Sequence, residues 1–338
     1  MPWGNFYTQC FAACGMACHF DGAGQPTLDG ADRDLRKRLS YRSQLEAQNW
    51  FAPSVDMLGR MSSLAMRTKK DITKNLVPPL KWVGGKRWLL HRGTTIFPEV
   101  FNRYFEPFLG SGAVFFRLNP SAGLISDINS ELVELYSAIK ERPDLVQRNL
   151  AKHSLQHSKE YYYRTRAKIP NTAFSRAARM LYLNRTCWNG LYRVNQRGEF
   201  NVPIGTKTAV LASTDDFGAI SAALKDIDIA FCDFGEAIGR ARENDFVFCD
   251  PPYTVKHNNN GFVKYNESIF SWADQERLAK SVKRASQRGV KVLITNAYHD
   301  SILELYKGFF IQKLDRASVI SGVAHGRGRY EECLIKNY

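Results

Sequence analysis

Asp250, Pro251, Pro252 and Tyr253 close the run FVFCDPPYTV (246–255), and their combination has a definable chemistry. A carboxylate offers two acceptor oxygens, and the Pro251 carbonyl beside it offers another. Such a set can bind both protons of an amine on a planar ring, favouring a tetrahedral nitrogen whose lone pair is no longer delocalised. The prolines fix φ at about −65° and so hold that carbonyl in place. The ring of Tyr253 can stack on a flat substrate, and a base must leave its duplex to enter a pocket of this kind. For four residues alone, a strand that simply ends in Asp-Pro is the alternative.

Three further stretches could serve a ligand. FEPFLGSG (105–112) places Gly110 and Gly112 in a Gly-x-Gly turn, where the missing Cβ atoms allow close backbone approach. The dinucleotide fingerprint G-x-G-x-x-G is not completed, because position 115 is Phe. Asp127 follows at the end of the next strand-like run, placed to accept from ribose hydroxyls or to cap a helix in competition with Asn129 and Ser130. In KWVGGK (81–86), Lys86 could hold a carboxylate or phosphate and Trp82 could cover a ring. A surface turn and a core tryptophan explain the same residues.

Elements must position these groups at one edge. Strand-like runs end at FEPF (105–108), GLISD (123–127), FVFCD (246–250) and VKVLITN (290–296). Helical patterns, among them SELVELYSAIKE and WADQERLAKSVKRASQ, lie between them. The alternation predicts a parallel, doubly wound sheet. FIQKLDR and EECLIKNY, joined by SGVAHGRGRY, predict a hairpin at the sheet edge. Residues 140–215 read as a mainly helical insertion. Residues 1–65 have no sustained period and are expected to be a partly disordered extension, and Met66 opens a basic stretch, RTKKDITK.

The chain has 338 residues and a formal net charge of +14, which points to a polyanionic partner. Residues 140–215 hold 14 Lys/Arg against 5 Asp/Glu, so 14 − 5 = 9 of the 14 excess charges fall there. Aromatic and amide side chains are interleaved with them, a mixture suited to phosphate and base contacts; a solvated basic face is the alternative. Seven cysteines are irregularly spaced and predict no disulfide framework. Cys10, Cys14, Cys18 and His19 match no zinc or iron–sulfur spacing, so no metal is expected. Cys232 and Cys249 lie in strand-like runs and read as small buried hydrophobes. No run approaches bilayer length, and no basic residue precedes Arg33 to begin a secretory signal. The expectation is a cytoplasmic protein.

Taken together, KWVGGK, FEPFLGSGAVFF (105–116), SDINSELVELY (126–136), YLNRTCWNGLYRVNQRGEFNVPIG (182–205), FCDPPY and VLITN (292–296) resemble the Dam family of DNA adenine-N6 methyltransferases, the D12 class. The resemblance runs from about Pro79 to Tyr338. It implies a Rossmann-like methyltransferase sheet with an edge hairpin and an inserted helical DNA-recognition domain at 140–215. The catalytic domain would then be 66–139 with 216–338. It implies S-adenosylmethionine as cofactor, held by Trp82, Lys86, Gly110, Gly112, Asp127, Asp233, Phe234 and Asp250. Lys86 would lie near its carboxylate, Asp127 at its ribose, and Asp233 and Phe234 beside its adenine.

Catalysis would fall to Asp250, Pro251, Pro252 and Tyr253, by direct transfer to the amine of a flipped adenine, without metal or covalent enzyme intermediate. The partner implied is double-stranded DNA, bound by a monomer at GATC. Arg193 would read a guanine, Lys81 the outer guanine, and Leu191 and Pro203 thymine or neighbouring bases. Asn189 would lie near the space the adenine leaves. Trp188 departs from the smaller aromatic usual there, and some relatives read longer sites beginning GAT. A relative that binds DNA without catalysis is the reading from another class. Cytosine-N4 enzymes more often carry Ser before the prolines, and the incomplete glycine fingerprint disfavours a nicotinamide dehydrogenase.

Overall fold

The computed structural model describes residues 19–20, 26–27, 76–92, 96–195, 197–255, 270–316 and 330–338. Two compact units divide the chain, Met1–Leu64 and Ala65–Tyr338. In the first, His19–Phe20 pairs antiparallel with Pro26–Thr27. The Cys10–Cys18 run, the basic stretch at 67–74 and most of the 321–330 loop lie outside the described residues.

The second unit is built on seven strands: β1 Tyr104–Glu106, β2 Gly123–Asp127, β3 Ile227–Phe231, β4 Phe246–Cys249, β5 Lys291–Ala297, β6 Phe310–Arg316 and β7 Tyr330–Lys336. They lie in the order β3-β2-β1-β4-β5-β7-β6. β3 to β5 are parallel, and β7 joins antiparallel to both β5 and β6, making the expected edge hairpin. The strand order reverses between β1 and β4, so a crevice opens beyond the carboxyl ends of these two strands. β1 stops at Glu106 because Pro107 has no N–H for the ladder. FVFC, with parallel neighbours on both sides, is buried at all four positions, as a doubly covered strand requires.

Nine helices are found among the described residues: α1 Ala113–Leu118, α2 Ser130–Glu141, α3 Pro143–Gln156, α4 Lys159–Ala167, α5 Ala173–Thr186, α6 Phe217–Leu224, α7 Phe234–Gly239, α8 Trp272–Gln287 and α9 Asp300–Leu305. Asn129, not Asp127, caps α2 by accepting from the amides of Glu131 and Leu132. α8 opens with a reciprocal capping box between Ser271 and Asp274. None of these helices is long and apolar enough to cross a membrane.

Alternation along the strands sorts the core into two layers. One sheet face carries Tyr104, Ile125, Phe246, Phe248, Leu293 and Leu334, packed with α1, α2, α3 and α5. The other carries Phe105, Leu124, Val247, Cys249, Ile294 and Cys333 under α7, α8 and α9. Helices α3 to α5 form the segment expected to be helical, and their core is continuous with the first face. Beyond α5, residues 187–195 and 197–205 form an irregular hairpin marked by the bridges Cys187↔Ile204 and Val194↔Phe200. Cys249 is buried as expected; Cys232 stands one residue past β3 and is only half-buried.

Candidate active site

The residues that follow the first face past the strand ends are polar. Phe246 and Phe248 point into the core, and the same period carries Asp250 to the crevice; Tyr104 leads likewise to Glu106, and Ile125 to Asp127. The apolar face therefore supplies the site's floor and its carboxylates the rim.

Asp250 is held by two donors on one oxygen. Lys86 Nζ lies 2.7 Å from Oδ1, and Thr295 of β5 donates to the same atom at 2.7 Å. Lys86 is only 4% exposed, enters from the helical turn Lys86–Arg92, and also donates to Gly84 O at 2.8 Å. Among the described residues, Oδ2 of Asp250 accepts no hydrogen bond. Burial pushes the Asp250 carboxyl above its usual value, and Lys86 and Thr295 oppose that rise.

The loop after Asp250 is fixed from several sides. Gln275 of α8, fully buried, donates to Pro252 O at 3.2 Å. Asn296 donates to Gln275 Oε1 at 3.1 Å. Thr254 donates to Phe270 O at 2.6 Å. Tyr253 donates to Glu332 of β7 at 2.9 Å, and its ring centroid lies 5.0 Å from Lys86 Nζ. Thr295 and Asn296 are consecutive in β5 and point to opposite faces, so one reaches Asp250 and the other reaches Gln275.

The glycine turn adjoins this group. Gly110 and Gly112 have φ of 49° and 64°, the region where a Cβ is disfavoured. A Cβ on Gly110 would also stand 2.7 Å from Trp82 Cδ1. Asp127 accepts from the amides of Gly110 at 3.0 Å and Asn129 at 2.9 Å, tying the turn to the end of β2. Burial pushes its carboxyl up, and these amides hold the rise back. Beside it Ile128 is 66% exposed, and Phe231, paired with Asp127, is 59% exposed.

Asp233 is committed elsewhere: it caps α7 and receives both Arg277 nitrogens, at 2.6 and 2.9 Å. Arg277 in turn covers Phe234, 4.0 Å from the ring centroid, and Phe234 stacks with Phe108 at 5.4 Å.

The expected DNA residues gather on the hairpin. Trp188, Asn189, Arg193 and Pro203 are exposed and Leu191 is half-buried. Trp188 N donates to Pro203 O at 2.9 Å, Asn189 adopts φ 56°, and Arg193 donates to Asn201 at 2.9 Å. Lys81 is brought to them by Asn184, which is buried, accepts from Lys81 N and donates to Lys81 O and Gly190 O. Contact with Lys207 holds the Lys81 ammonium below the ordinary lysine value, so Lys207 joins the same exposed rim. Tyr192 links the hairpin to the other half: it stacks on Trp82 at 5.1 Å and donates to Glu131 of α2.

Several basic residues of the 140–215 segment are structural instead. Arg185 binds Asp215 through two nitrogens, each at 2.7 Å. Arg176 pairs with Glu134, and buried Arg179 donates to Thr165 O and Arg166 O. Glu106, Thr295, Gln275 and Glu332 are site residues that sequence reading missed. A lone polar residue inside an apolar strand was the signal for Glu106; Thr295 and Glu332 each adjoin a second polar residue in their strands, and neither they nor Gln275 on its helix carry a comparable signal.

Fold and site together define a Rossmann-like methyltransferase: a mainly parallel sheet, a glycine turn after β1, an acid after β2 and DPPY after β4. The chain belongs to the D12 class N6 adenine-specific DNA methyltransferase family, whose model matches residues 82–320. It is 37% identical over 273 residues to a type II methyltransferase of Lactococcus lactis subsp. cremoris, covering 78% of this chain and 96% of that protein. It is 35% identical over 286 residues to a type II methyltransferase of Methanocaldococcus jannaschii, covering 77% and 99%. A DNA adenine methylase of Vibrio cholerae serotype O1 is 30% identical over 260 residues, covering 75% and 94%. The chain is thus a DNA adenine-N6 methyltransferase.

Proposed function

We propose that this enzyme methylates N6 of a flipped-out adenine in GATC, with S-adenosylmethionine as donor. The observation that carries the reading is Asp250, oriented through Oδ1 by Lys86 and Thr295 at the switch point of the sheet, with Oδ2 free of described partners and Tyr253 beside it.

The residues fit the cofactor. The left-handed glycines leave a cradle that a Cβ would fill, and Asp127, Lys86 and exposed Ile128 offer the acceptor, cation and apolar surface that ribose, carboxylate and adenine require. Trp82, Gly110 and Gly112 would line its loop, with Asp233 and Phe234 towards the adenine. When bound, the cofactor supplies an electrophilic methyl group on a sulfonium sulfur.

The chain's own work is to make the amine nucleophilic. Asp250 Oδ2 and Pro251 O accept the two amino protons, and Tyr253 stacks on the base and keeps its nitrogen in line. On the hairpin, Arg193 reads guanine through its paired donors, and Leu191, Pro203, Asn189 and Lys81 complete the readout. Trp188, 52% exposed, is shaped to occupy the gap in the stack. Residues 140–215 act as the recognition domain of a monomer on double-stranded DNA; residues 66–139 and 216–338 form the catalytic domain.

Expression in a host lacking adenine methylation tests the reading. Its plasmid DNA should resist a GATC nuclease blocked by N6-methyladenine, and Asp250→Ala should restore cutting. Full cutting in the presence of folded wild-type protein would overturn it. Modified-base sequencing of the same DNA distinguishes GATC from a longer site beginning GAT.

A further inference from the structure

β7 carries two consecutive glutamates with opposite surroundings. Glu331 is exposed and pairs with Lys313 at 2.6 Å. Glu332 points the other way and is 5% exposed, on a strand whose next three residues, Cys333, Leu334 and Ile335, are all buried. Burying a carboxylate costs free energy unless it is paired, so a position serving packing alone would be apolar. Glu332 Oε2 accepts from the phenol of Tyr253 at 2.9 Å.

The register explains how two distant segments meet. Ala297 lies opposite Glu332, and Thr295 lies opposite Leu334. Opposed residues share a sheet face, so Thr295 and Glu332 are diagonal neighbours on it. Thr295 donates to Asp250, and Glu332 accepts from Tyr253. Two residues of the antiparallel pair therefore grip the first and last residues of DPPY. Burial pushes the Tyr253 phenol far above its ordinary value, the Asp250 and Glu332 carboxylates add to the rise, and the Thr295 hydroxyl opposes it. The phenol accordingly stays protonated and remains a donor to Glu332.

We infer that Glu332 is a positioning residue for methyl transfer: its carboxylate fixes the hydroxyl of Tyr253 and so sets the plane on which the target adenine is presented to Asp250. Glu332 does not touch the substrate. Its effect runs through Tyr253, and it rests on the function proposed above. With the hydroxyl anchored, rotation of the ring about its stem is restricted. The stacked base then spends more of its time with N6 between Asp250 and Pro251 O.

The test compares Glu332→Leu, which removes the acceptor, Tyr253→Phe, which removes the donor, and the double variant with wild type. Single-turnover methylation of a GATC duplex is measured at saturating S-adenosylmethionine, together with cofactor and DNA affinities. A second duplex carries 2-aminopurine at the target position, whose fluorescence reports unstacking. Each single variant should slow transfer about threefold to thirtyfold, with both affinities within about twofold of wild type. The double variant should be no slower than the slower single, because both changes break one contact. The unstacking signal should persist with altered amplitude, since the base still leaves the duplex but rests on a looser ring.

A wild-type rate in Glu332→Leu, or losses that multiply in the double variant, would overturn the inference while leaving the proposed function intact. Failure of wild type itself to methylate GATC would overturn the proposed function, and this inference with it.

Discussion

The loop after β4 and the hairpin at 187–205 are built on opposite principles. Asp250, Pro252, Tyr253 and Thr254 are each held by a side chain or carbonyl from another element. In the hairpin, Trp188, Asn189, Arg193 and Pro203 are exposed, and the contacts that define it are mostly backbone bridges. Chemistry on a weak nucleophile needs acceptors fixed before the substrate arrives, because reorganisation at that moment would add to the barrier. Reading a base edge needs donors presented to solvent until DNA replaces the water. One region spends its polar groups internally; the other keeps them available.

Substitutions should separate the two. Asp250→Ala is expected to lower the single-turnover rate about a thousandfold, a loss at the upper end of those for a preorganised electrostatic group. Site preference and DNA affinity should stay near wild type; a variant that methylates new sites instead would erase the distinction. Arg193→Ala should do the reverse. In the proposed reading, loss of the bidentate contact of Arg193 to guanine is worth about 1–3 kcal/mol, about fivefold to 150-fold in preference for GATC over sites altered at one guanine. Its rate on GATC at saturating DNA should remain close to wild type, and competition kinetics with single-base variants measure both.

Two glycines offer a smaller contrast. Gly110→Ala combines left-handed strain with a push on Trp82, whereas a Cβ on Gly198, at φ 77°, would meet nothing within 4 Å. Strain in this region costs about 1–3 kcal/mol, so Gly198→Ala should lower the unfolding free energy, as denaturant titration measures it, by the lower end of that range. Gly110→Ala should cost more and also weaken S-adenosylmethionine binding, as calorimetry would show. Equal effects of the two would mean that Trp82 yields freely.

The smallest effect is in pH. In the proposed function Asp250 acts as a carboxylate, and its folded pKa is raised by burial, so methyl transfer should fall as pH falls, with an acid limb above the ordinary aspartate value of about 4. The stability contribution runs the other way. A carboxyl raised in the folded state contributes stability that is present at low pH and lost as pH rises through its folded value. On acidification, activity should therefore fall while the Asp250 contribution to stability returns, which parallel rate and thermal-shift profiles would detect. Lys86→Met removes the cation that opposes the rise and should move the limb to higher pH.

Much of this was legible in the chain, because the informative signals were local. α2 and α8 occupy the periodic segments read as helices, and DPPY, the glycine turn and Asp127 all reach strand ends, where the α/β pattern puts them. The partners of Asp250 and Tyr253 were not legible. Thr295 lies 45 residues from Asp250 and Glu332 lies 79 from Tyr253, and only sheet register brings them together. Basic composition was only partly informative, since Arg176, Arg179 and Arg185 are used within the protein while Arg193 and Lys207 are left exposed. Charge counts do not distinguish these uses.

Thr295 and Asn296 have a consequence for how the protein can fail. Because neighbouring strand residues face opposite ways, sliding β5 by one position would exchange the two side chains and send each to the wrong layer. Asp250 would lose its hydroxyl donor and Gln275 its amide at one stroke. A molecule that assembled its central strands out of step would therefore be an inert methyltransferase rather than a mistargeted or promiscuous one, and catalytic competence doubles as a proofreading mark for correct strand alignment.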